Sequence, residues 1–451
     1  MPKVCAVNPA IEEPRTPPVE FAFLLSRVLG EPRDIKLGAD EMSERRDDAV
    51  QSIVRFAYDN VPWYGRVMSA LKIAPEDIQT ASDLSLLPTI EHDDLLSSSE
   101  DFLPRGARVE ELVELKTSGS SGAPRTIYHD VEGMIAGWAV KLRERYLREK
   151  HVGDLKKYRS ASLSMEGDSA ERVRAHMRVS APAIWKLLPD SRKFSAFEDP
   201  ARVVEGLREW RPERISGYGS ALGRLFRYVA DSGMDFPLPR LVNFSSDSLS
   251  STERHIIEKH FGVPVLGVYG ATEAFSIGYE CGEGEGYHVN EDATFVRIVD
   301  RADRDAKPGE PGSLLVSNLV NRGTVLLNYR LGDVAAWLSE PCPCGRSLPR
   351  IRLLEGRDNA WIERPDAPPV HPFRLSGPLN RLEVGRWQIV QPHIDRLIVR
   401  VLPTAGQDRA ALGASIRALV REVVREDLEA EVEFPSELDH TRSGKVLSFV
   451  R

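Results

Sequence analysis

The stretch LKTSGSSGAPRTIYH (Leu115 to His129) sets two glycines and four hydroxyls between Thr117 and Gly122, directly after an apolar run. Glycines let a backbone approach an anion closely, and N–H groups with Ser hydroxyls donate to phosphate oxygens. No Gly-x-x-x-x-Gly-Lys occurs in the chain, so this is not a Walker loop. From the residues alone, a flexible Ser/Gly surface loop reads as well. Downstream, GVYGATEAF (Gly267 to Phe275) closes a run with strand character. Ligands of open α/β sheets bind outside the carboxyl ends of the strands. There Tyr269 offers a flat face for a base, Thr272 a hydroxyl, and Glu273 a hard oxygen ligand suited to magnesium. Alone, such a glutamate reads as a solvated helix cap. In NYRLGDVA, Asp333 follows a turn glycine; its carboxylate could accept both hydroxyls of a ribose, or be an ordinary turn aspartate. HTRSGKVLSFV (His440 to Val450) places Lys445 after a Ser-Gly turn.

Two other Gly-rich stretches carry less. GYGSALG (Gly217 to Gly223) misses the third glycine of a dinucleotide fingerprint by one place and reads as a tight turn. CGEGEGYH (Cys281 to His288) carries two glutamates, which makes it a poor phosphate cradle.

These residues need a scaffold, and the composition supplies one. The chain has 451 residues, 41% hydrophobic and 28% charged, an ordinary globular composition with length for about three folding units. Lys and Arg total 60 against 68 Asp and Glu, a formal charge of -8. A net acidic chain without a basic block argues against a dedicated nucleic-acid binder. Four cysteines give no secretory framework, and Met1 to Glu20 holds acidic residues and five prolines where a signal peptide needs an apolar stretch. The longest apolar cluster, Phe21 to Leu29, is too short to span a bilayer. A cytoplasmic, multidomain, catalytic protein without a membrane partner is expected.

Val50, Ile53, Val54 and Ala57 predict a helix from Met42 to about Leu71, and DLSLLPTIEHDDLL predicts a turn around Pro88 before another helix. From about Leu112 to Asp300, apolar runs such as Arg240 to Phe244 and Val263 to Tyr269 alternate with helical stretches. The helix Ser251 to Phe261 is one, opened by a Ser-x-x-Glu signal. This alternation reads as parallel βαβ units. Between Ala293 and Trp337 the strands come closer together, which reads as a small, mostly antiparallel β unit. The last ninety or so residues give a β-α-β string, with strands at Trp387 to Val390, Asp395 to Pro403 and Ala430 to Phe434. The fold class expected is α/β: a large domain of βαβ subdomains plus a small β unit, and a mobile α+β C-terminal domain.

Taken in order, the Ser/Gly loop, Tyr-Gly-x-Thr-Glu, Tyr-Arg-x-Gly-Asp, Gly-Arg at a hinge and Ser-Gly-Lys near the end resemble the adenylate-forming superfamily of acyl-CoA synthetases, adenylation domains and luciferases. YDNVPWYGRVM (Tyr58 to Met68) and EPCPCGRSLPRI (Glu340 to Ile351) look like its phenylacetate-CoA ligase family. The resemblance covers nearly the whole chain. It implies that a carboxylate attacks the α-phosphate of ATP, giving an acyl-adenylate and pyrophosphate, and that the acyl group passes to a thiol.

Carried over by position, the resemblance implies that Thr117, Ser118, Gly119, Ser120, Ser121 and Gly122 hold the β- and γ-phosphates. Tyr269, beside Gly270, would stack on adenine, and Ser246 and Asp247 in the FSSD stretch would line its pocket. Thr272 would contact the α-phosphate and Glu273 would hold magnesium. Asp333 and Arg357 would fix the ribose, and Lys445 would bridge the substrate carboxylate and the α-phosphate. A cation there offsets the repulsion between two anions. The domains implied are 1–355, carrying the ATP and acid sites, a hinge at 356–362, and 363–451, carrying the catalytic lysine.

Cys281, His288, Cys342 and Cys344 then form a sufficient set for tetrahedral structural zinc, as in related proteins; Cys5 has no visible partner. The sequence departs from the family pattern at three places. Leu331 stands where relatives usually have Thr, Asp358-Asn359-Ala360 shifts the acidic hinge position, and ERPDAPPVHPF (Glu363 to Phe373) has no glycine where many CoA ligases have one. The expected reaction is AMP-forming activation of a carboxylic acid, aromatic by resemblance, with ATP, magnesium and CoA. Transfer to a carrier-protein thiol or an amine, or an inactive nucleotide-binding regulator, are the alternatives. A homodimer is compatible with all of these.

Overall fold

The computed structural model describes residues 37–117, 125–153, 158–182, 189–357, 362–364, 367–370, 372–382, 384, 386–404, 406–424, 428–439 and 449–450. Helix α1 (Ala39–Asn60) buries the expected stripe of Val50, Ile53, Val54 and Ala57. The single helix expected to reach Leu71 breaks at Val61 (φ -101°, ψ 119°), and α2 (Pro62–Leu71) begins afresh. The residue before a proline is pushed out of the helical region, and Pro62 at the first helical position opens the second helix.

Strands β1 (Val113–Lys116) and β2 (Thr126–His129) form an antiparallel hairpin. Five parallel strands follow: β3 (Arg159–Ser164), β4 (Asp190–Ser195), β5 (Arg214–Tyr218), β6 (Leu241–Ser245) and β7 (Val265–Ala271). The chain then reverses. β8 (Phe275–Tyr279), β9 (Tyr287–Val289), β10 (Thr294–Val299), β11 (Gly312–Asn318), β12 (Tyr329–Leu338) and β13 (Arg350–Arg357) are antiparallel. All eleven strands lie in one sheet, ordered β10-β11-β12-β13-β9-β8-β7-β6-β5-β3-β4. The β unit expected as a separate element between Ala293 and Trp337 is therefore an extension of the main sheet. The pairing of Arg350 with His288 across β13 and β9 joins it, a contact far apart in sequence.

Helices α3 (Val131–Ala139), α4 (Arg145–Val152), α5 (Ser169–Ser180), α6 (Pro200–Trp210) and α7 (Gly219–Ser232) cover the parallel strands. The register puts Ala161, Ile215, Val242 and Val265 in one row of one face. They form a core with Val203, Val204 and Leu207 of α6 and Leu222 and Phe226 of α7. On the opposite face, Leu147 and Val152 of α4 pack with Leu241 and Leu266. The helix expected from Ser251 to Phe261 is α-helical through His255 and continues as a π turn over Ile256–His260. Its N-terminus is capped as the Ser-x-x-Glu signal predicts: the Ser250 Oγ accepts from the Glu253 N–H.

The C-terminal part holds the hairpin β14 (Ile362–Arg364) and β15 (Ala367–Val370). Its four-stranded sheet is ordered β18-β17-β16-β19, from β16 (Arg386–His393), β17 (Arg396–Leu402), β18 (Glu429–Glu433) and β19 (Phe449–Val450). Helix α8 (Arg409–Val423) lies on it. Its core, including Trp387, Leu397, Ile416 and Val420, shares no residue with the cores of the large part. Polar contacts join the two: Arg386 Nη2 lies 3.1 Å from Glu253 Oε2, and the Thr252 hydroxyl donates to the Val384 carbonyl at 2.7 Å. Among the described residues, no helix is long and apolar enough to cross a membrane.

Candidate active site

β7 is the strand at which the sheet changes from parallel to antiparallel, and the Tyr-Gly-x-Thr-Glu motif sits at its carboxyl end. A tight reversal from Ala271 to Phe275 leads into β8. A Cβ on Gly270 would collide with the Phe275 carbonyl, so the reversal requires glycine there. Phe275 itself holds φ 51°, an uncommon conformation for a bulky residue. The turn places Thr272 half-exposed and Glu273 buried.

Three of the sequence motifs meet at this end of the sheet. The Tyr269 hydroxyl donates to Asp333 Oδ2 at 2.7 Å, joining β7 to β12. Asp333 pairs along the backbone with Arg357, beside a bulge, so the two residues assigned to ribose lie on neighbouring strands. Ser246 and Asp247 follow β6, the neighbour of β7. Ser246 turns the chain with φ 71°, and Asp247 Oδ1 accepts from the Ser220 N–H at 3.2 Å. Thr117 closes the root of the Ser/Gly loop: its N–H donates to the Arg125 carbonyl, and its hydroxyl accepts from the Arg125 N–H at 3.0 Å. Ser118, Gly119, Ser120, Ser121, Gly122 and Lys445 lie outside the described residues, as do hinge residues 358–361. The expected hinge at 356–362 begins within β13, which runs through Arg357.

His129 is a structural partner of this site with no role evident from the sequence. It ends β2, is fully buried, and its Nε2 lies 2.8 Å from the Thr272 carbonyl, with its ring against Phe275. Burial drives its pKa down to about 4, so the imidazole is neutral and Nε2–H donates. The contact ties the β1–β2 hairpin, and with it the root of the Ser/Gly loop, to the Thr272 turn. Asn318 performs a matching task below, donating its Nδ2–H to the Glu273 carbonyl at 2.9 Å. The only sequence trace of His129 was its place at the end of the loop motif.

GYGSALG is not a turn: Gly217 and Tyr218 end β5, and Gly219 begins α7. A Cβ at Gly217 would collide with the Leu163 carbonyl, so close strand packing rather than a bend selects this glycine.

The Cys and His residues converge elsewhere. The ligand atoms of Cys281, His288, Cys342 and Cys344 all lie within 4.8 Å of one another. Cys281 and Cys342 sulfurs are 3.5 Å apart, and Cys344 Sγ is 3.3 Å from His288 Nε2. Zn–S bonds of about 2.3 Å imply S···S edges of about 3.7 Å in a tetrahedron, so the set fits zinc. His288 Nδ1 lies 3.3 Å from the Leu348 carbonyl; donation there leaves Nε2 free to ligate. Burial lowers the His288 pKa to about 4, which keeps the ring in its ligating form. Burial also pushes the Cys342 thiol up, while at Cys344 hydrogen bonds from Arg346 and Cys342 together overcome burial and favour the thiolate. Cys5 lies outside the described residues.

No protein-family model matches the chain. It is 22% identical over 412 residues to protein CapK of Staphylococcus aureus, covering 90% of this chain and 88% of that protein. It is 26% identical over 384 residues to phenylacetate-coenzyme A ligase of Escherichia coli, covering 80% and 82%. Among solved structures, 2-hydroxyisobutyryl-CoA ligase in its postadenylation state superposes with a TM-score of 0.75. That match spans 93% of this chain and 91% of the other at 18% identity, and it establishes a shared fold.

Proposed function

Because the chain belongs to the adenylate-forming superfamily and is phenylacetate-CoA ligase-like, we propose that it activates a carboxylic acid with ATP and passes the acyl group to coenzyme A. The observation that carries this reading is the contact of Tyr269 with Asp333, whose backbone pairs with Arg357, at the carboxyl end of the strand where the sheet changes direction. Tyr269 would present its ring to adenine while its hydroxyl orients Asp333 toward the ribose. Thr272 would donate to the α-phosphate. The loop rooted at Thr117 would hold the outer phosphates through backbone N–H groups and hydroxyls.

Little covalent work falls to the protein. Its contribution is to align a carboxylate with the α-phosphorus and to offset the repulsion between them, the task assigned to Lys445. Glu273 is a buried carboxylate and a hard oxygen donor, which fits magnesium. Bound there, the ion would neutralise charge on the phosphates. Lys445 belongs to the small C-terminal part, so the reaction requires that part to close over the large one. The Cys281, His288, Cys342 and Cys344 set would hold zinc in a structural role, offering four protein ligands.

A second acceptor is supported by one feature: the segment from Glu363 to Phe373, where a glycine would ease passage of a pantetheine arm, has none, and part of it forms β14 and β15. Transfer to a carrier-protein thiol or an amine fits that segment. Acid-dependent pyrophosphate release tests the common first step, and adding CoA, a holo-carrier protein or simple amines separates the acceptors. Lys445→Ala is expected to slow pyrophosphate release by roughly 10²–10³-fold, the scale for removing one preorganised charge-stabilising group. Unchanged release would reject the assignment.

A further inference from the structure

Parallel strands covered by helices on both sides normally present apolar residues to both. Here the second face is mixed: Leu241 and Leu266 pack under α4, but the residues it presents from β3 and β5 are polar. Strand β3, RSASLS, alternates as a half-solvated strand would, yet Ser160, Ser162 and Ser164 are all buried. The register sets Ser162, Ser216 and Asn243 in one row, opposite the apolar row of Ala161, Ile215 and Val242. Arg214 stands one step nearer the start of β5, its Nε–H donating to Asn243 Oδ1 at 2.6 Å.

Arg214, Ser216 and Tyr218 are half-buried although they lie in the interior of the sheet, and Val268, on the same face of β7, and Thr272 in the turn beyond it are half-buried too. Such half-buried side chains beneath covering helices would line a cleft from the Thr272 turn along the polar face toward Arg214, the span of β5 from Tyr218 to Arg214 being about 13 Å at ~3.3 Å per residue.

The far end of the cleft is cationic. Lys141, just before α4, and Arg148 within it lie close enough to Arg214 to repel it, and among the described residues Glu144 is the carboxylate that acts on all three, while Tyr158 also hydrogen-bonds Arg148. Burial, together with repulsion from Arg174, Arg148 and Arg214, outweighs Glu144 and holds the Lys141 ammonium below its ordinary value. Arg148 Nη2 reaches the Lys141 carbonyl at 3.2 Å, but its Nε, like Glu144 Oε1 and Ser164 Oγ, is buried without a hydrogen-bond partner. Excess buried positive charge with open donors calls for an anion.

We propose that the acid activated by this enzyme carries a second anionic group at its far end, which binds at Lys141, Arg148 and Arg214, with the serine hydroxyls of β3 and β5 lining the way. This rests on the adenylation reading above and replaces the aromatic acid that resemblance implies. Ser216 already donates to the Ala161 carbonyl and Arg214 to Asn243, but a hydrocarbon ring would leave Arg148 Nε and Ser164 Oγ buried and unpaired, whereas a carboxylate or phosphate would satisfy them.

The test compares α,ω-dicarboxylates from malonate to azelate with monocarboxylates of equal length and with phenylacetate. Pyrophosphate release and binding without ATP, by calorimetry, are both measured. Dicarboxylates are expected to exceed their monocarboxylate partners at least tenfold in kcat/KM and in affinity, with an optimum at intermediate length. Arg214→Gln and Lys141→Gln are expected to raise the dicarboxylate KM and Kd at least tenfold, and Arg214→Lys to recover part of the loss. Equal or better use of monocarboxylates or phenylacetate by the wild-type enzyme overturns the proposal, whatever the variants do. Selective dicarboxylate binding without pyrophosphate release would support the anionic subsite and reject the adenylation reading instead.

Discussion

His129 couples two parts of the site through one hydrogen bond, and its environment makes that bond sensitive to acid. The ring titrates near 4 in the folded protein, because burial penalises the charged form, against about 6.5 in an unfolded chain. Below pH 6.5 the unfolded state takes up the proton first, so stability is complete above that pH and is lost as pH falls toward 4. The shift corresponds to about 3 kcal/mol at 1.36 kcal/mol per unit. Melting temperatures measured between pH 7 and 4.5 should therefore fall less steeply in His129→Gln than in the wild type. Equal slopes would show that the imidazole does not report this burial. A second residue-scale effect centres on Arg143, whose Nη1 and Nη2 meet both oxygens of Asp292 at 2.7 Å with the pair out of solvent. Asp292→Ala leaves the guanidinium buried without that carboxylate, and a loss of about 3–5 kcal/mol in denaturant unfolding is expected.

At the scale of elements, the metal set joins two loops: Cys281 and His288 flank the turn between β8 and β9, while Cys342 and Cys344 lie between β12 and β13. Purified protein should carry close to one zinc per chain by metal analysis, and a strong chelator should lower its melting temperature. Substoichiometric zinc that Cys344→Ser leaves unchanged would reject the site. The residue types of this set were legible in the sequence; their meeting was not, because it depends on β13 pairing with β9 across about sixty residues of chain. The same long-range pairing hid the union of the β unit with the main sheet. Local signals fared better. The Ser250–Glu253 cap and the apolar run of β6 involve neighbours in sequence, and each was readable there. The alternation of β3 was equally visible, but alternation alone does not say whether water or a ligand faces the polar side. Tyr269 and Asp333 were recognisable only by motif order; their 2.7 Å contact required the fold.

For the molecule as a whole, the separate core of the C-terminal part implies separate cooperativity. Among the described residues, no apolar residue of its cluster belongs to a core of the large part, and polar contacts across include Arg386 with Glu253 and Thr252 with Val384. Scanning calorimetry of the full chain should show two transitions, and Arg386→Met should shift the smaller one without moving the larger. A single transition would mean that the polar contacts suffice to couple the cores.

This separation also bears on how such a chain can change its chemistry over evolutionary time. A unit with its own core can be replaced without repacking its neighbour. The nucleotide motifs and the polar cleft belong to the large part, while Lys445 and the segment from Glu363 to Phe373 belong to the small one. Exchange of the small unit between relatives would then redirect the acyl group to a new acceptor while leaving the choice of acid where it was. Choice of acid and choice of acceptor would be inherited as separate modules.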